Sequence, residues 1–332
     1  MTTVTGIGSW PGSDPLEAAR TVLGELAPPV GLPHLVELPG RGPGADLVGR
    51  AAALLVELPV DLQPSGWRFV DHPGRDLERA ASMRSADLDA LAEAADGYAG
   101  PLKVQVCGPW TLSSEVHLGR GERSVVDRGA RRDLVESLAE GVSVHLGHVR
   151  RLVPGAELVL QLDEPSLASV LRGGLRTQTG FGRLPAVEAA EVEQGLRVVL
   201  AAGRAAGATG TVVHCCSDDV PFASLQAAGA DAVSVDLSLH SARSWESLAV
   251  SIESGVRLWA GVVPTGARVP ATAEVVDAVR VPWQQVGLPA AGLADVVLTP
   301  ACGLADRDAT GARAVLARLV EAAGALDEVA AG

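Results

Sequence analysis

The sequence predicts an α/β protein of the (β/α)8 barrel class, with a single domain over residues 1–332. Short apolar runs rich in β-branched residues recur along the chain, and segments with helical periodicity separate most of them. Eight such runs can be identified, which is the number of strands in this barrel. An open doubly wound sheet is the competing fold, but no Gly-rich phosphate-binding loop follows the first run.

The predicted elements follow one another regularly, with one long interruption. The strands are Val4–Gly8, Leu35–Leu38, Leu102–Val106, Leu158–Leu162, Thr211–His214, Ala232–Asp236, Leu258–Val263 and Val296–Leu298. The helices are Pro15–Leu26, Ser85–Ala95, Arg131–Leu152, Pro185–Ala206, Val220–Ala228, Ser244–Ser254, Ala273–Gly287 and Asp308–Ala322. The stretch from Val60 to Gly100 is long for one crossover, so we expect an insertion between strands 2 and 3 that includes a hairpin or lid.

Polar residues follow most of the predicted strands. In chain order the strand ends carry Ser9, Glu37, Cys107-Gly-Pro109, Asp163-Glu-Pro165, His214-Cys-Cys216, Asp236, Pro264-Thr-Gly266 and Cys302-Gly303. Barrels of this class place their catalytic groups at the carboxyl ends of the strands. We therefore expect the functional site on this rim.

Composition narrows the classes of partner. The chain is 47% hydrophobic and can bury a large core, and its net charge of −13 disfavours nucleic acid and anionic membranes, so we expect a small-molecule ligand. The first residues lack the pattern of a signal peptide, and no apolar run is long enough to span a membrane. Four cysteines, two of them adjacent, do not suggest a disulfide framework. These features predict a cytoplasmic protein.

The segment Thr211–Asp219, with the sequence TVVHCCSDD, is typical of a metal site. Residues at i and i+2 of a strand share a face, so His214 and Cys216 point together while Cys215 points away. Cys302 follows the last strand and Asp236 the strand after His214, so all four side chains would lie on one rim. Histidine, cysteine and carboxylate are the ligands of Zn²⁺, and a catalytic zinc keeps one position open.

A purely structural interpretation of these residues also exists. His214 and Asp236 can cap the ends of secondary-structure elements, and Cys216 and Cys302 can be small buried residues. The coincidence of the His-x-Cys pair with a second strand-end cysteine favours the zinc site.

Five short motifs occur in a fixed order along nearly the whole chain: Ile7-Gly-Ser-Trp-Pro11, Gly108-Pro-Trp-Thr111, Gln161-Leu-Asp-Glu-Pro165, His214-Cys-Cys216 and Pro300-Ala-Cys-Gly-Leu304. They resemble the IGSFP, GPxT, QIDEP, HxC and PxCGL motifs of the cobalamin-independent methionine synthases. The resemblance is to the catalytic C-terminal barrel of that family, in its short archaeal-type form.

The resemblance implies a (β/α)8 barrel that transfers a methyl group to the thiol of homocysteine, giving methionine, with Zn²⁺ as cofactor. The family's zinc ligands correspond to His214, Cys216 and Cys302, and its glutamate ligand falls at Asp236. Its amino-acid site corresponds to the backbone at Ile7, Gly8 and Ser9 and to the carboxylates of Asp163 and Glu37.

The chain departs from the family at three places. Asp236 stands where the family has glutamate, and the segment Val263–Arg268 lacks the family's histidine, a proton donor, whose role we assign to His240. The family's arginine-rich folate segment is not recognisable around Asp71–Met83. The resemblance therefore leaves two methyl donors, methyltetrahydrofolate and a methylcobalamin-type corrinoid carrier.

Three alternatives remain at the level of the sequence. The protein can be a related zinc-dependent alkyltransferase that uses another thiol, or a non-catalytic zinc-binding paralogue. A third hypothesis is a zinc-free lyase or aldolase that uses Asp163 and Glu164, although Lys103, the only lysine, lies within a strand where a Schiff base is disfavoured.

Overall fold

A curled sheet of seven parallel strands forms the centre of the computed structural model, which describes residues 1–266 and 268–332. The sheet consists of β1 (Thr3–Val4), β4 (Ala99–Cys107), β5 (Gly155–Asp163), β6 (Gly210–His214), β7 (Ala232–Asp236), β8 (Arg257–Val263) and β9 (Val297–Pro300), while β2 (Val60–Gln63) and β3 (Gly66–Phe69) form a separate antiparallel hairpin. The sheet has the order β1-β9-β8-β7-β6-β5-β4. Its first and last strands in the sequence, β1 and β9, are therefore neighbours.

Residues 31–37 join the two edge strands of this sheet. Isolated parallel bridges connect Gly31 to Val4 of β1, Glu37 to Ser9, and His34 to Lys103 of β4. The predicted strand at Leu35–Leu38 is therefore part of a segment with isolated bridges and is not a regular strand. One reason is that Pro33 has no N–H group to donate to a neighbouring strand. The predicted (β/α)8 barrel is confirmed, with seven regular strands and this segment in the eighth position.

Helices cover the outside of the barrel. They are α1 (Pro15–Glu25), α2 (Leu47–Ala52), α3 (Arg75–Ala94), α4 (Pro109–Glu115), α5 (Arg128–Leu152), α6 (Leu167–Arg172), α7 (Ala189–Ala205), α8 (Phe222–Ala227), α9 (Ala242–Glu253), α10 (Thr272–Gln285) and α11 (Ala309–Ala331). Asp14, Asp127 and Asp308 cap the long helices α1, α5 and α11 by accepting hydrogen bonds from their first-turn N–H groups. None of the helices in the described residues is long and apolar enough to cross a membrane.

The predicted insertion between the second and third barrel positions is confirmed. It contains α2, the antiparallel hairpin of β2 and β3, and α3. The hairpin continues onto the segment after α4, because the N–H of Phe69 donates to the carbonyl of His117 (2.9 Å) and the N–H of His117 donates to that of Trp67 (2.8 Å). Trp67 is buried in the main core, so this aromatic side chain packs the insertion against the barrel.

The side chains inside the barrel are apolar at one end and polar at the other. Its amino-terminal end holds a small apolar cluster of Leu32, Val212, Ala232, Trp259 and Val297, with Val159 packed against it. Two residues further along the same strands, and so on the same face, polar side chains follow: Gln161, His214, Ser234 and Thr299. The inward-facing side chains thus form an apolar layer at the amino-terminal end of the barrel and a polar rim at the carboxyl ends of the strands.

Candidate metal centre and amino-acid pocket

Three side chains of the types that bind metals meet at the carboxyl ends of β6 and β9. His214 is the last residue of β6, Cys216 lies two residues beyond it, and Cys302 follows β9. One ligand atom from each of the three lies within 4.8 Å of the other two. We call these residues the His-Cys-Cys group. They are three of the four side chains that the sequence predicts as ligands.

The donor atoms of this group fit a tetrahedral metal ion. The Sγ atoms of Cys216 and Cys302 are 3.8 Å apart. Two sulfurs bound to one tetrahedral zinc at about 2.3 Å would be separated by about 3.8 Å. The Nε2 atom of His214 is buried and has no hydrogen-bond partner among the described residues, so its lone pair is available to a ligand. The group can therefore hold a metal ion of the zinc type.

A hydroxyl group behind the ring fixes His214. The Nδ1 atom of His214 lies 3.1 Å from Oγ of Ser234, and both residues are buried. Ser234 is the register partner of His214 on β7, so the sheet itself places the hydroxyl there. When Nδ1–H donates to this hydroxyl, Nε2 carries the lone pair, and that tautomer is the form that binds metals.

The thiols of Cys216 and Cys302 strongly shift each other's pKa. Their hydrogen bond, together with His214, lowers the pKa of Cys302 to about 4, and the same hydrogen bond raises the pKa of Cys216. One thiolate is thus stabilised by the second thiol. A second thiolate at this distance would suffer charge repulsion, which a cation bound between the sulfurs would relieve.

Asp236 lies at the end of β7, but the structure does not bring it into the His-Cys-Cys group. Its Oδ1 accepts hydrogen bonds from the backbone N–H of Ser238 (2.9 Å) and from the Ser238 hydroxyl (2.6 Å). In this position the carboxylate caps the turn at Leu237–Leu239. Its role as a zinc ligand stays a prediction.

His240 follows that turn and packs against α8. Its ring lies 5.7 Å from the ring of Phe222, and it borders a groove between α9 and α10 with Trp245 and Pro282. Burial lowers the pKa of His240, against the opposing effect of Asp236 and Asp218. The ring is therefore neutral at pH 7, and its role as proton donor also stays a prediction.

Asp163 is the carboxylate that the resemblance assigns to an amino-acid site. Asp163 is buried at the end of β5, as the register partner of both Cys107 and His214. Burial raises its pKa, while His214 and Lys103 act in the opposite direction. The ammonium group of a ligand placed against this carboxylate would favour its charged form.

The backbone of Ile7 and Ser9 contacts both Gln161, which is bound to Asp163, and the loop of Cys302. The carbonyl oxygen of Ile7 accepts a hydrogen bond from Nε2 of Gln161 (2.9 Å), and the carbonyl of Ser9 accepts one from the N–H of Leu304 (3.0 Å). A Cβ atom on Gly303 would lie only 1.9 Å from Oγ of Ser9. The IGS motif and the final CGL motif thus meet because β1 and β9 are adjacent.

Glu37 is placed differently from the free carboxylate that the sequence suggests. It is buried, and its Oε1 lies 3.4 Å from Nε of Arg50, which also pairs with Asp87. Its backbone is fixed beside the IGS motif, since the N–H of Glu37 donates to the carbonyl of Gly8 (3.1 Å). Glu37 is therefore one partner of a buried ion pair, and its role in binding an ammonium group stays a prediction.

Glu164 links two motifs. Its carboxylate accepts hydrogen bonds from the N–H of Trp110 (2.9 Å), the N–H of Thr111 (2.7 Å) and the Thr111 hydroxyl (2.8 Å) at the start of α4. A Cβ atom on Gly108 would lie 2.3 Å from Oε1 of Glu164, so this position needs a glycine. Because all these contacts are structural, they count against the lyase hypothesis that uses Glu164.

Three polar residues inside the barrel, Lys103, Gln161 and Ser234, contact the candidate site residues, although the sequence alone assigns no site role to any of them. Each lies in an otherwise apolar strand, two residues from another polar position: Gln105, Asp163 and Asp236, respectively. A two-residue period of polar side chains within buried strands is the signal that points to them.

Comparison with known proteins agrees with this architecture. Residues 1–325 match the protein family described as "Cobalamin-independent synthase, Catalytic domain". No curated protein sequence matches the chain. Among solved structures, a B12-independent methionine synthase from a Shewanella species, in complex with selenomethionine, superimposes with a TM-score of 0.62 at 13% identity, covering 99% of this chain and 98% of that one.

Two further structures are similar. A putative vitamin-B12 independent methionine synthase from Listeria monocytogenes gives a TM-score of 0.57 at 12% identity, with 99% of each chain covered. A methyltransferase from Methanosarcina mazei gives 0.56 at 16% identity, with 98% of this chain and 94% of that one covered. At these identities the similar structures show a common fold only. The family match over residues 1–325 also shows which family the sequence belongs to. The chain belongs to the cobalamin-independent methionine synthase family, as a form of its catalytic domain.

Proposed function

We propose that the protein transfers a methyl group to the thiol of homocysteine, giving methionine, with Zn²⁺ held by His214, Cys216 and Cys302. Family membership indicates a methyltransferase of the methionine synthase type. The observation that carries the proposal further is the 3.8 Å separation of the two Sγ atoms beside Nε2 of His214, which has no hydrogen-bond partner within residues 1–266 and 268–332. Three protein ligands leave one tetrahedral position for a substrate.

The side chains around this group have complementary tasks. A zinc ion bound there would lower the pKa of an incoming thiol and present it as the nucleophilic thiolate. Asp163 would accept the ammonium group of the amino acid, and backbone N–H groups at Gly8 and Ser9 would hold its carboxylate. The bond between sulfur and the methyl group forms as the bond between the methyl group and its donor breaks, and the thiol proton is released.

Two methyl donors remain candidates, methyltetrahydrofolate and a methylcobalamin-type corrinoid carrier. The test is to supply each donor with homocysteine to the zinc-loaded protein and to measure methionine by mass spectrometry. We expect methionine from at least one donor, and its loss in Cys302→Ser. Cys215→Ala is the matched control, because Cys215 is buried in the main core and not in the His-Cys-Cys group. A zinc-loaded protein that gives no methionine with either donor contradicts the proposal.

One observation favours a second candidate, a related alkyltransferase that acts on another thiol. Glu37, one of the two carboxylates assigned to the ammonium group, is already paired with Arg50. If the acceptor lacks an ammonium group, homocysteine and a simple alkyl thiol will compete equally for the site. A non-catalytic paralogue predicts instead that zinc binds and homocysteine does not.

A further inference from the structure

The only lysine of the chain lies in the interior of the barrel. Lys103 is on β4, and its side chain is fully buried. Burying an ammonium group without compensation is costly, so its partners must be strong acceptors. Its position two residues before Gln105 on the inner face places it below the predicted amino-acid pocket.

Two acceptors surround the ammonium group. Nζ of Lys103 donates to the carbonyl oxygen of Ile7 (2.6 Å) and to Oε1 of Gln161 (2.7 Å). The amide nitrogen of Gln161 in turn donates to the same Ile7 carbonyl (2.9 Å) and to Oδ1 of Asp163 (2.6 Å). The four groups therefore form one connected network.

Lys103 determines which groups donate and which accept in the hydrogen bonds of this network. An ammonium group is only a donor, so the oxygen of the Gln161 amide must face Lys103. The NH₂ group of Gln161 is then left to face the two acceptors, Ile7 and Asp163. Because the peptide bond between Ile7 and Gly8 is planar, fixing the Ile7 carbonyl also fixes the direction of the Gly8 N–H.

The surrounding charges are consistent with a cation at this position. Burial lowers the pKa of Lys103 to about 7, and the carboxylates of Asp163 and Glu37 act in the opposite direction by favouring its charged form. The neighbouring His34 is buried, and burial together with Lys103 lowers its pKa to about 3. His34 is therefore neutral and does not compete for the two carboxylates.

We propose that Lys103 is a positioning residue of the amino-acid pocket, which acts through Gln161 on Asp163 and directly on the Ile7–Gly8 peptide. This inference rests on the proposed function, because it assumes that Asp163 and the IGS backbone bind the ammonium and carboxylate groups of the substrate. Lys103 does not touch the substrate itself. Its loss should weaken the recognition of these two groups and leave the thiol site intact.

The test compares two thiols on wild type and on Lys103→Met, a variant of similar length without hydrogen-bond donors. Homocysteine carries the thiol, ammonium and carboxylate groups, whereas 1-propanethiol carries only the thiol. We expect the affinity of Lys103→Met for homocysteine, measured by calorimetry on the zinc-loaded protein, to fall about tenfold or more, since charge-assisted hydrogen bonds are lost. The affinity for 1-propanethiol and the zinc content should stay unchanged.

Two further variants separate positioning from a general loss of stability. Gln161→Met keeps Lys103 but removes its link to Asp163, so it should show the same selective loss, and it carries the test if Lys103→Met does not fold. Combining the two variants should add little, because both act through one network. Thr5→Val is the control, since it removes a buried hydrogen bond to the Leu32 carbonyl (2.6 Å) and should affect both thiols equally or neither.

Two results would overturn the inference. If both thiols lose affinity equally in Lys103→Met and Gln161→Met, or if neither does, Lys103 does not position the amino-acid pocket. If wild type takes up zinc but does not bind homocysteine, the proposed function fails first, and this inference fails with it.

Discussion

The hydroxyl of Ser234 provides a direct way to perturb the candidate metal centre without changing any of the three side chains of the His-Cys-Cys group. In Ser234→Ala, Nδ1 of His214 loses its partner at 3.1 Å, and the ring is no longer held in the orientation that directs Nε2 toward the two cysteines. We predict that this variant binds Zn²⁺ more weakly than wild type but keeps its fold.

The size of the effect follows from the burial of both groups. His214 is 3% exposed and Ser234 is fully buried, so water cannot replace the lost hydrogen bond. An unsatisfied buried polar group costs about 1–3 kcal/mol, which corresponds to roughly 5- to 150-fold in a binding constant. Substituting groups that orient metal ligands typically reduces metal affinity by about 10- to 100-fold. We therefore expect a loss within that range.

The assay is a zinc titration in competition with a chromophoric chelator. Ser124→Ala is the matched control, because Ser124 is also fully buried and donates a hydrogen bond, to the Ser113 carbonyl (3.0 Å). It should lose comparable stability in urea unfolding and retain the zinc affinity of wild type. Equal zinc affinities in Ser234→Ala and Ser124→Ala would refute the reasoning.

Two other predictions concern stability. Glu164→Gln should lower the free energy of unfolding by about 1–3 kcal/mol while zinc content is retained, because an NH₂ group would face the donors of α4; unchanged urea unfolding would contradict this. Burial, with Arg84 and Arg50, lowers the pKa of His145 to about 3 from 6.5, so below pH 6.5 only the unfolded chain takes up this proton. Wild type should therefore lose stability relative to His145→Gln as the pH falls below 6.5, by a slope that approaches about 1.4 kcal/mol per pH unit near pH 5, and parallel stability curves would disprove it.

The fold could be predicted from local patterns because most barrel strands are continuous apolar runs. The runs that became β4 to β9 were all identified, with ends shifted by a few residues. The segment around Leu35–Leu38 differs because its pairing depends on Pro33 and on two neighbours distant in sequence, Val4 and Lys103. No local pattern contains that information.

The site was predictable where side-chain chemistry and strand ends coincide. His214, Cys216 and Cys302 were identified from their residue types, and the structure brings their ligand atoms together. The ion pair between Glu37 and Arg50 could not be foreseen, because it depends on how α2 packs on the barrel. The cap formed by Asp236 is local, but the sequence supports both a cap and a ligand at that position.

We propose that a zinc ion held by the His-Cys-Cys group takes the substrate thiol as a further ligand. The most direct test is X-ray absorption at the zinc edge, without and with homocysteine, which counts the sulfur atoms bound to zinc. We predict two sulfur ligands, from Cys216 and Cys302, and one more when homocysteine is added. A sulfur count that does not change while homocysteine is bound would contradict the claim.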